Sequence, residues 1–196
     1  MASREYTVKR ITKETDVSVT IGLDGMGKSE VDTGIGFFDH MLNSFARHGF
    51  FDLSVSCEGD LYVDTHHSIE DTGIVLGEAI SGALGDKAGI VRFGSFILPM
   101  DDALVLCSLD LSGRPCLGFD LPFTAAKCGE MDTQMVREFF YAVSCSAGMN
   151  LHLKKISGIN DHHIMEAAFK AFGKALDLAV SFDPRVSGVL STKGAL

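Results

Sequence analysis

The chain has 196 residues, a hydrophobic content of 46% and a formal net charge of −9, which suits one compact domain or two small similar halves. The acidic balance without a basic run argues against nucleic-acid partners, and no apolar run is long enough for a membrane span or a signal sequence. Five cysteines, an odd number without Cys-x-x-Cys spacing, predict reduced and buried thiols in a cytoplasmic enzyme.

The first half of the chain is predicted to contain four strands and two helices. Alternating apolar and polar residues indicate strands at 6–12 and 17–24, joined as an antiparallel hairpin. Apolar residues at helical spacing indicate a helix at 37–48, which Gly49 ends. Two further strands are predicted at 51–59 and 60–64, and a helix follows at about 66–84.

The second half repeats this order of elements. Strands are predicted at 103–112, 115–123 and 150–157, and helices at about 136–146 and 162–181. We therefore predict an internally duplicated α+β fold, in which each half is a four-stranded, mostly antiparallel sheet with two helices. The predicted halves are residues 1–88 and 89–196, and together they form one compact catalytic unit.

Two histidine-rich motifs share one pattern, and each lies at the start of a predicted helix. They are His66-His67-x-x-Glu70 and His162-His163-x-x-Glu166. On a helix, the first histidine and the glutamate share a face, and the adjacent histidine points about a quarter-turn away. Each motif offers two imidazoles and a carboxylate, which suit Mn, Fe, Co, Ni or Zn. Simple capping of a helix start is the alternative, but two copies that each carry the glutamate favour metal ligation.

Two more histidines extend this set. His40 lies on the helix after a glycine-rich turn, and His152 lies at an alternating position of a strand. With them the set has eight protein ligands, whereas two octahedral metals need about twelve positions. Open positions for water or substrate indicate catalysis rather than a structural role. For His152, an ordinary outward-facing strand residue is the alternative interpretation.

Long segments of the chain resemble the imidazoleglycerol-phosphate dehydratase family in order and spacing. They include TGIGFFDHMLNSFARHGFFDL, DTHHSIEDTGIVLGEAI, GIVRFGSFILPMDDAL and NDHHIMEAAFKAFGKAL, and the resemblance runs from about Val8 to Leu196. The resemblance implies a duplicated α+β fold like domain 2 of ribosomal protein S5. It also implies a homo-oligomeric shell of 24 subunits with two Mn²⁺ ions per active site, at subunit contacts.

The reaction implied by the resemblance is a step of histidine biosynthesis that converts D-erythro-imidazoleglycerol phosphate to imidazole acetol phosphate. The proton to be removed from C2 is not next to a carbonyl, so simple base-catalysed elimination is difficult. An imidazolate held by two metals can expel the neighbouring C3 hydroxyl, and a carboxylate can then take the C2 proton. The resemblance gives this acid/base role to Glu14, for which an exposed hairpin charge is the alternative interpretation.

The substrate phosphate requires cations and hydrogen-bond donors. The resemblance implies that they are Arg92, Arg114, Lys170, Ser191, Thr192 and Lys193. His48 lies in a segment that the family uses around the substrate, although a cation at a helix C-terminus explains it equally well. None of the chain's departures from the usual family residues removes a proposed ligand. These departures are Asn43, Ser44, Ser68, Ile69, Asp102, Lys127, Cys128 and Asp161.

Two other functions remain open from the sequence. A dimetal phosphoester hydrolase would use the metals to activate water and attack phosphorus. A metal-storing or metal-sensing shell protein would keep the ligands but would not need Glu14 or the phosphate-binding cations. Release of free phosphate separates the hydrolase from the dehydratase, because the dehydratase retains the phosphate on its product.

Overall fold

Two four-stranded sheets and four long helices form the fold in a computed structural model that describes residues 4–194. The first half contains β1 (Glu5–Ile11), β2 (Thr15–Gly22), β3 (Ser29–Asp32), α1 (Gly36–Gly49), β4 (Asp52–Gly59) and α2 (His66–Leu84). Its strands are ordered β1-β2-β4-β3, and β3 runs parallel to β4 while the other pairs are antiparallel.

The second half has the same topology. It contains β5 (Phe93–Met100), β6 (Ala103–Asp110), β7 (Cys116–Asp120), β8 (Lys127–Cys128), β9 (Met131–Asp132), α3 (Met135–Ala147), β10 (Asn150–Ser157) and α4 (Asp161–Val180). The strand order is β5-β6-β10-β7, with β7 parallel to β10, and β8 and β9 form a small separate hairpin. The predicted duplicated α+β fold is therefore confirmed. The boundary between 1–88 and 89–196 stays a prediction, and the outermost residues of both halves (1–3 and 195–196) lie outside the described residues.

Each sheet buries one face and exposes the other, as alternation along the central strands predicts. Val17, Val19 and Ile21 of β2 are fully buried, and Val105 and Cys107 occupy corresponding inward positions on β6. The outward faces carry pairs of hydroxyl groups. The Oγ1 atoms of Thr7 and Thr20 are 2.8 Å apart, and the Oγ atoms of Ser95 and Ser108 are 2.6 Å apart.

The helices fill the space beneath the two sheets. Helix α2 packs on the first sheet and on α3, and α4 packs on the second sheet and on α1. Helices α1 and α4 approach closely at Gly173, where an added Cβ would lie 2.5 Å from the Phe45 carbonyl oxygen. Near this contact, the rings of Phe45 and Phe172 stack with centroids 5.1 Å apart. The first helix of one half is thus held against the last helix of the other.

Two predicted details of the elements are wrong. Residues 60–64 form a turn instead of a strand, because Leu61 N donates to Gly59 O (2.9 Å) and Val63 N donates to Asp60 O (2.8 Å). The fourth strand of the first sheet is β3, which is short, mostly exposed and polar, and therefore has no apolar alternation to detect. Strand β5, at 93–100, also completes the second sheet without having been predicted.

The cysteines are less uniformly buried than predicted. All five are free thiols; Cys57 and Cys107 are buried, Cys128 is partly buried, and Cys116 and Cys145 are exposed. Burial raises the pKa of Cys57 and of Cys107 above the ordinary thiol value. Within residues 4–194, none of the helices combines the length and the apolar character that crossing a membrane requires.

Candidate metal centre

Helices α1 and α4 bring three predicted metal ligands together. His40 lies on α1, and His162 and Glu166 lie one turn apart on α4. The Glu166 Oε2 atom is 3.6 Å from His40 Nε2 and 3.3 Å from His162 Nε2. Among residues 4–194, these side chains are the one group of three or more possible ligands whose atoms all lie within 4.8 Å of each other. The donor set is two imidazole nitrogens and a carboxylate, which suits a borderline divalent metal.

Lys170 adds a positive charge to this cluster. Its Nζ is 2.6 Å from Glu166 Oε1, and the side chains of Glu166 and Lys170 are only 8% and 14% exposed. Burial alone would raise the pKa of Glu166, but the Lys170 ammonium, together with His40 and His162, lowers it overall. Glu166 is therefore ionised and available as a ligand at neutral pH. Lys170, which the resemblance implied as a ligand of the substrate phosphate, thus lies directly beside the candidate metal ligands.

The first histidine motif is more open. His66 Nε2 is 3.8 Å from Glu70 Oε2, and both side chains are 43% exposed. His67 Nδ1 is 3.1 Å from both carboxylate oxygens of Asp60, which raises the pKa of His67. Its Nε2 lies 3.8 Å from Glu14 Oε2.

Glu14 is positioned by the tight turn between β1 and β2. The backbone N–H groups of Glu14 and Thr15 donate to Thr12 Oγ1 at 3.1 and 3.0 Å. This turn places the Glu14 carboxylate beside the first motif, although the two are more than 50 residues apart in the chain. A free carboxylate beside potential metal ligands can exchange a proton with a bound substrate.

The second histidine of the other motif also contacts carboxylates. His163 Nδ1 lies 2.7 Å from Asp102 Oδ1, and His163 Nε2 lies 3.4 Å from Asp101 Oδ2. Hydrogen bonds from the Ile159 backbone, from His163 and from the Asn160 backbone hold the pKa of Asp102 far below its usual range. Asp60 and Asp101 were not predicted from the sequence as site residues, and Asp102 was noted only as a departure from the usual family residue. The contacts of all three depend on turns that fold against the histidines.

His152 does not join the cluster of His40, His162 and Glu166. It lies on the exposed face of β10, opposite Gly118 of β7 and Ser108 of β6. A Cβ at Gly118 would lie 2.3 Å from His152 Nδ1, so glycine is needed for the ring to lie across the neighbouring strand. The predicted ligand is thus held in a defined place on the outside of the second sheet.

Arg92 and the C-terminal tail meet at one place. Arg92 donates to both Asp110 carboxylate oxygens, at 2.6 and 3.0 Å, and its Nη1 donates to Leu190 O at 2.6 Å. Arg92, Ser191 and Thr192 are among the residues that line a cavity of about 640 Å³. Lys193 lies in the adjoining turn, where its N–H donates to Ser191 Oγ at 3.2 Å. Arg92 and the tail therefore line one cavity, where the Arg92 guanidinium is held by Asp110 and Leu190.

The two other predicted substrate residues have different surroundings. Arg114 is exposed, and its Nη1 donates to Ser112 O at 3.3 Å. His48, at the end of α1, faces Lys170 and Lys174; burial first, and then these two ammonium charges, lower its pKa. A neutral imidazole is therefore favoured at His48, which weakens its interpretation as a cation at the helix C-terminus.

Asp161 anchors a loop, although it immediately precedes the second histidine pair. Its Oδ2 accepts hydrogen bonds from Ala125 N (2.6 Å), Thr124 N (2.9 Å) and Thr124 Oγ1 (3.0 Å). Burial works to raise the pKa of Asp161, but these hydrogen bonds lower it overall. The carboxylate therefore fixes the loop between β7 and β8 to the start of α4.

Comparisons with known proteins agree on one family. Residues 33–176 match the family model described as imidazoleglycerol-phosphate dehydratase. The imidazoleglycerol-phosphate dehydratase of Lachnoclostridium phytofermentans is 61% identical over 194 residues, covering 99% of each chain. That of Acetivibrio thermocellus is 58% identical over 193 residues, covering 98% of this chain and 99% of its own.

Two solved structures are similar to the fold described above. The crystal structure of the Staphylococcus aureus imidazoleglycerol-phosphate dehydratase has a TM-score of 0.83 and 37% identity, covering 91% of this chain and 99% of that one. The Pyrococcus furiosus structure, in complex with (S)-C348, has a TM-score of 0.84 and 41% identity, covering 96% and 100%. Sequence and fold therefore lead to the same family.

Proposed function

Because this chain belongs to the imidazoleglycerol-phosphate dehydratase family, the hydro-lyases that dehydrate imidazoleglycerol phosphate in histidine biosynthesis, we propose that its reaction depends on two Mn²⁺ ions. The observation that carries this proposal is the meeting of His40, His162 and Glu166 within 4.8 Å. Two imidazoles and an ionised carboxylate that converge from two helices form a ligand set for a divalent metal. Membership of this family decides against the two alternatives that the sequence left open, a phosphoester hydrolase and a metal-storing or metal-sensing protein.

The remaining predicted ligands support sites that are shared between subunits. His66 and Glu70 face each other on the half-exposed surface of α2, and His152 is exposed on the second sheet. An octahedral metal needs about six ligand positions, which neither place supplies from its own side chains. We propose that copies of the chain complete these ligand sets across their contacts, within a homo-oligomer of 24 subunits. Removal of Mn²⁺ is then expected to loosen the assembly, and an unchanged sedimentation profile of metal-free protein would contradict this.

Proton transfer is assigned to Glu14. When bound, two Mn²⁺ ions held by the proposed histidine and glutamate ligands would stabilise negative charge on the substrate ring. The Glu14 carboxylate, 3.8 Å from His67 Nε2, would take the C2 proton and pass it to the C3 hydroxyl, which leaves as water, and the resulting enol would become the ketone. The group formed by Arg92 and the tail would bind the phosphate. Lys170 donates to Glu166 near the start of α4, whereas the Arg92 N–H donates to Ala179 O near the end of that helix, so a role of Lys170 at the same phosphate would require a second copy of the chain.

The decisive experiment measures turnover of imidazoleglycerol phosphate by metal-stripped protein with and without added Mn²⁺. The ketone product and free phosphate are followed together. Ketone that forms only with Mn²⁺, without phosphate release, supports the proposal. Equal ketone formation in verified metal-free protein would refute the metal dependence.

A Glu14→Gln variant tests the acid/base assignment. We expect turnover to be lost while the Mn²⁺ content is unchanged, because the amide keeps the shape of the side chain but cannot accept the proton. Glu30→Gln, on the exposed edge strand β3, is the matched control and should keep full activity. Full activity of Glu14→Gln would remove Glu14 from the mechanism.

A further inference from the structure

One arrangement occurs in both halves of the chain. The second histidine of each motif directs its Nδ1 towards an aspartate, namely Asp60 for His67 (3.1 Å) and Asp102 for His163 (2.7 Å). A neutral imidazole donates from one nitrogen and accepts at the other, whereas an ionised carboxylate only accepts. Each aspartate therefore places the proton on Nδ1 and leaves the lone pair of Nε2 directed away from it.

The two aspartates come from places that the duplication does not relate. Asp60 follows β4, whereas Asp102 lies in the turn between β5 and β6. Strands β4 and β10 begin at Asp52 and Asn150, an offset of 98 residues that relates Asp60 to Gly158, which has no side chain. The neighbouring Ile159 contributes its backbone N–H, which donates to Asp102 at 2.7 Å. A carboxylate therefore contacts Nδ1 of the second histidine in both halves, although the two carboxylates come from different positions.

Both aspartates are themselves held in place. Asp102 accepts the N–H groups of Ile159 and Asn160, and Asn160 Oδ1 accepts the N–H groups of His162 and His163 at the start of α4. Asp60 is anchored through its backbone N–H, which donates to Glu14 O at 3.1 Å. Its side chain is only 13% exposed. Asp102 is therefore held through its carboxylate, and Asp60 through its backbone and the burial of its side chain.

We propose that Asp60 and Asp102 are positioning residues, which fix His67 and His163 in the tautomer and orientation that present Nε2 to a metal. The proposal rests on the metal-dependent function proposed above. A carboxylate on the outer nitrogen of a ligating histidine also raises the basicity of the ligand nitrogen, and loss of such a partner typically costs 10–100-fold in metal affinity. Neither aspartate needs to touch the metal or the substrate.

The test compares Mn²⁺ binding by wild-type protein, Asp60→Asn and Asp102→Asn. The probe is Mn²⁺ alone, titrated into metal-stripped protein, with the free ion measured by its electron paramagnetic resonance signal. We expect each variant to bind Mn²⁺ about 10–100-fold more weakly than wild type. Unchanged affinity in both variants would overturn the proposal.

Matched controls separate positioning from general structural damage. Asp52 accepts the N–H groups of Met26 and Lys28 at 2.9 and 3.0 Å, like the two backbone contacts of Asp102, but within residues 4–194 it forms no hydrogen bond with a histidine. Asp52→Asn should therefore lower the stability of the metal-free protein as Asp102→Asn does, without weakening Mn²⁺ binding. Equal weakening of Mn²⁺ binding in both variants would assign a merely structural role to Asp102. Asp102→Glu, which keeps the carboxylate, should bind Mn²⁺ more tightly than Asp102→Asn.

The same series distinguishes failure of this inference from failure of the proposed function. Turnover of the wild-type protein is measured with and without Mn²⁺ beside the titrations. Wild-type protein that needs Mn²⁺, with variants that bind it normally, would overturn only the positioning role. Wild-type protein that neither binds Mn²⁺ nor needs it would overturn both.

Discussion

The two motifs are identical in pattern but should differ in their effect on stability. Glu166 is 8% exposed and lies 2.6 Å from the Lys170 ammonium, whereas Glu70 is 43% exposed and its ion-pair partner within residues 4–194 is His66 at 3.8 Å. Substitution of each glutamate by glutamine removes the charge while retaining the shape. We therefore compare Glu166→Gln with Glu70→Gln as matched variants.

The expected magnitudes follow from burial. Glu166→Gln removes a charge-assisted hydrogen bond and leaves a buried ammonium without its anion, which costs about 1.5–3 kcal/mol. Glu70→Gln removes only an exposed contact over 3.8 Å, which is worth about 0.5 kcal/mol or less. The free energy of unfolding of the metal-free protein should therefore fall clearly for Glu166→Gln and hardly at all for Glu70→Gln.

The assay is denaturant unfolding of chelator-treated protein, followed by the same measurement with Mn²⁺. Protein concentration is held constant, because the stability of an oligomer depends on it. With Mn²⁺, wild-type protein should gain stability, and both variants should gain less because each has lost a proposed ligand. Equal losses of the two variants without metal, or no loss for Glu166→Gln, would refute the reasoning from burial.

Three further predictions concern the rest of the molecule. Phe169→Ala should lower the free energy of unfolding by about 3–5 kcal/mol in denaturant titrations, because the fully buried ring packs on two other phenylalanine rings. Cys107 should react with a thiol reagent only on unfolding, whereas exposed Cys145 should react in the native protein, because burial removes access and raises the pKa of Cys107. Asp24→Asn should cost at most about 1 kcal/mol at pH 7, because the Arg4 guanidinium lowers the pKa of a half-exposed Asp24. Since that stabilisation is lost as Asp24 becomes protonated, denaturation at a series of pH values should show the two proteins converging below about pH 4.

Each of these predictions has an outcome that contradicts it. Phe169→Leu keeps an apolar side chain, so a loss as large as that of the alanine variant would argue against the cavity explanation. Modification of Cys107 before Cys145 in native protein, located by mass spectrometry, would contradict the assigned burial. For Asp24, a difference that persists unchanged at pH 3 would show that the salt bridge is not its cause.

The paired motifs alone were sufficient to predict that His162 and Glu166 lie on one face of a helix, as they do in the structure. Ligand type depends on residue identity, and the face shared by His162 and Glu166 depends on helical spacing, so both are local properties. Alternation along β2 and β6 likewise predicted two-faced sheets. The polar edge strand β3 could not be predicted in this way, because its place is set by pairing with β4 and not by burial of its own side chains.

Tertiary structure alone decided which of the predicted residues meet. His40 joins the second motif and not the nearer first one, because the close approach of α1 and α4 at Gly173 brings their ends together. Tertiary structure also buries Glu166 beside its ion-pair partner and leaves Glu70 partly exposed to solvent, although both glutamates occur in the same sequence pattern. Sequence thus determined the chemistry of the candidate ligands and the duplicated α+β fold, which arise from local spacing and periodicity. Burial, charge partners and the contacts of Asp60 and Asp102 were decided by long-range packing, which brings together residues that no local pattern relates.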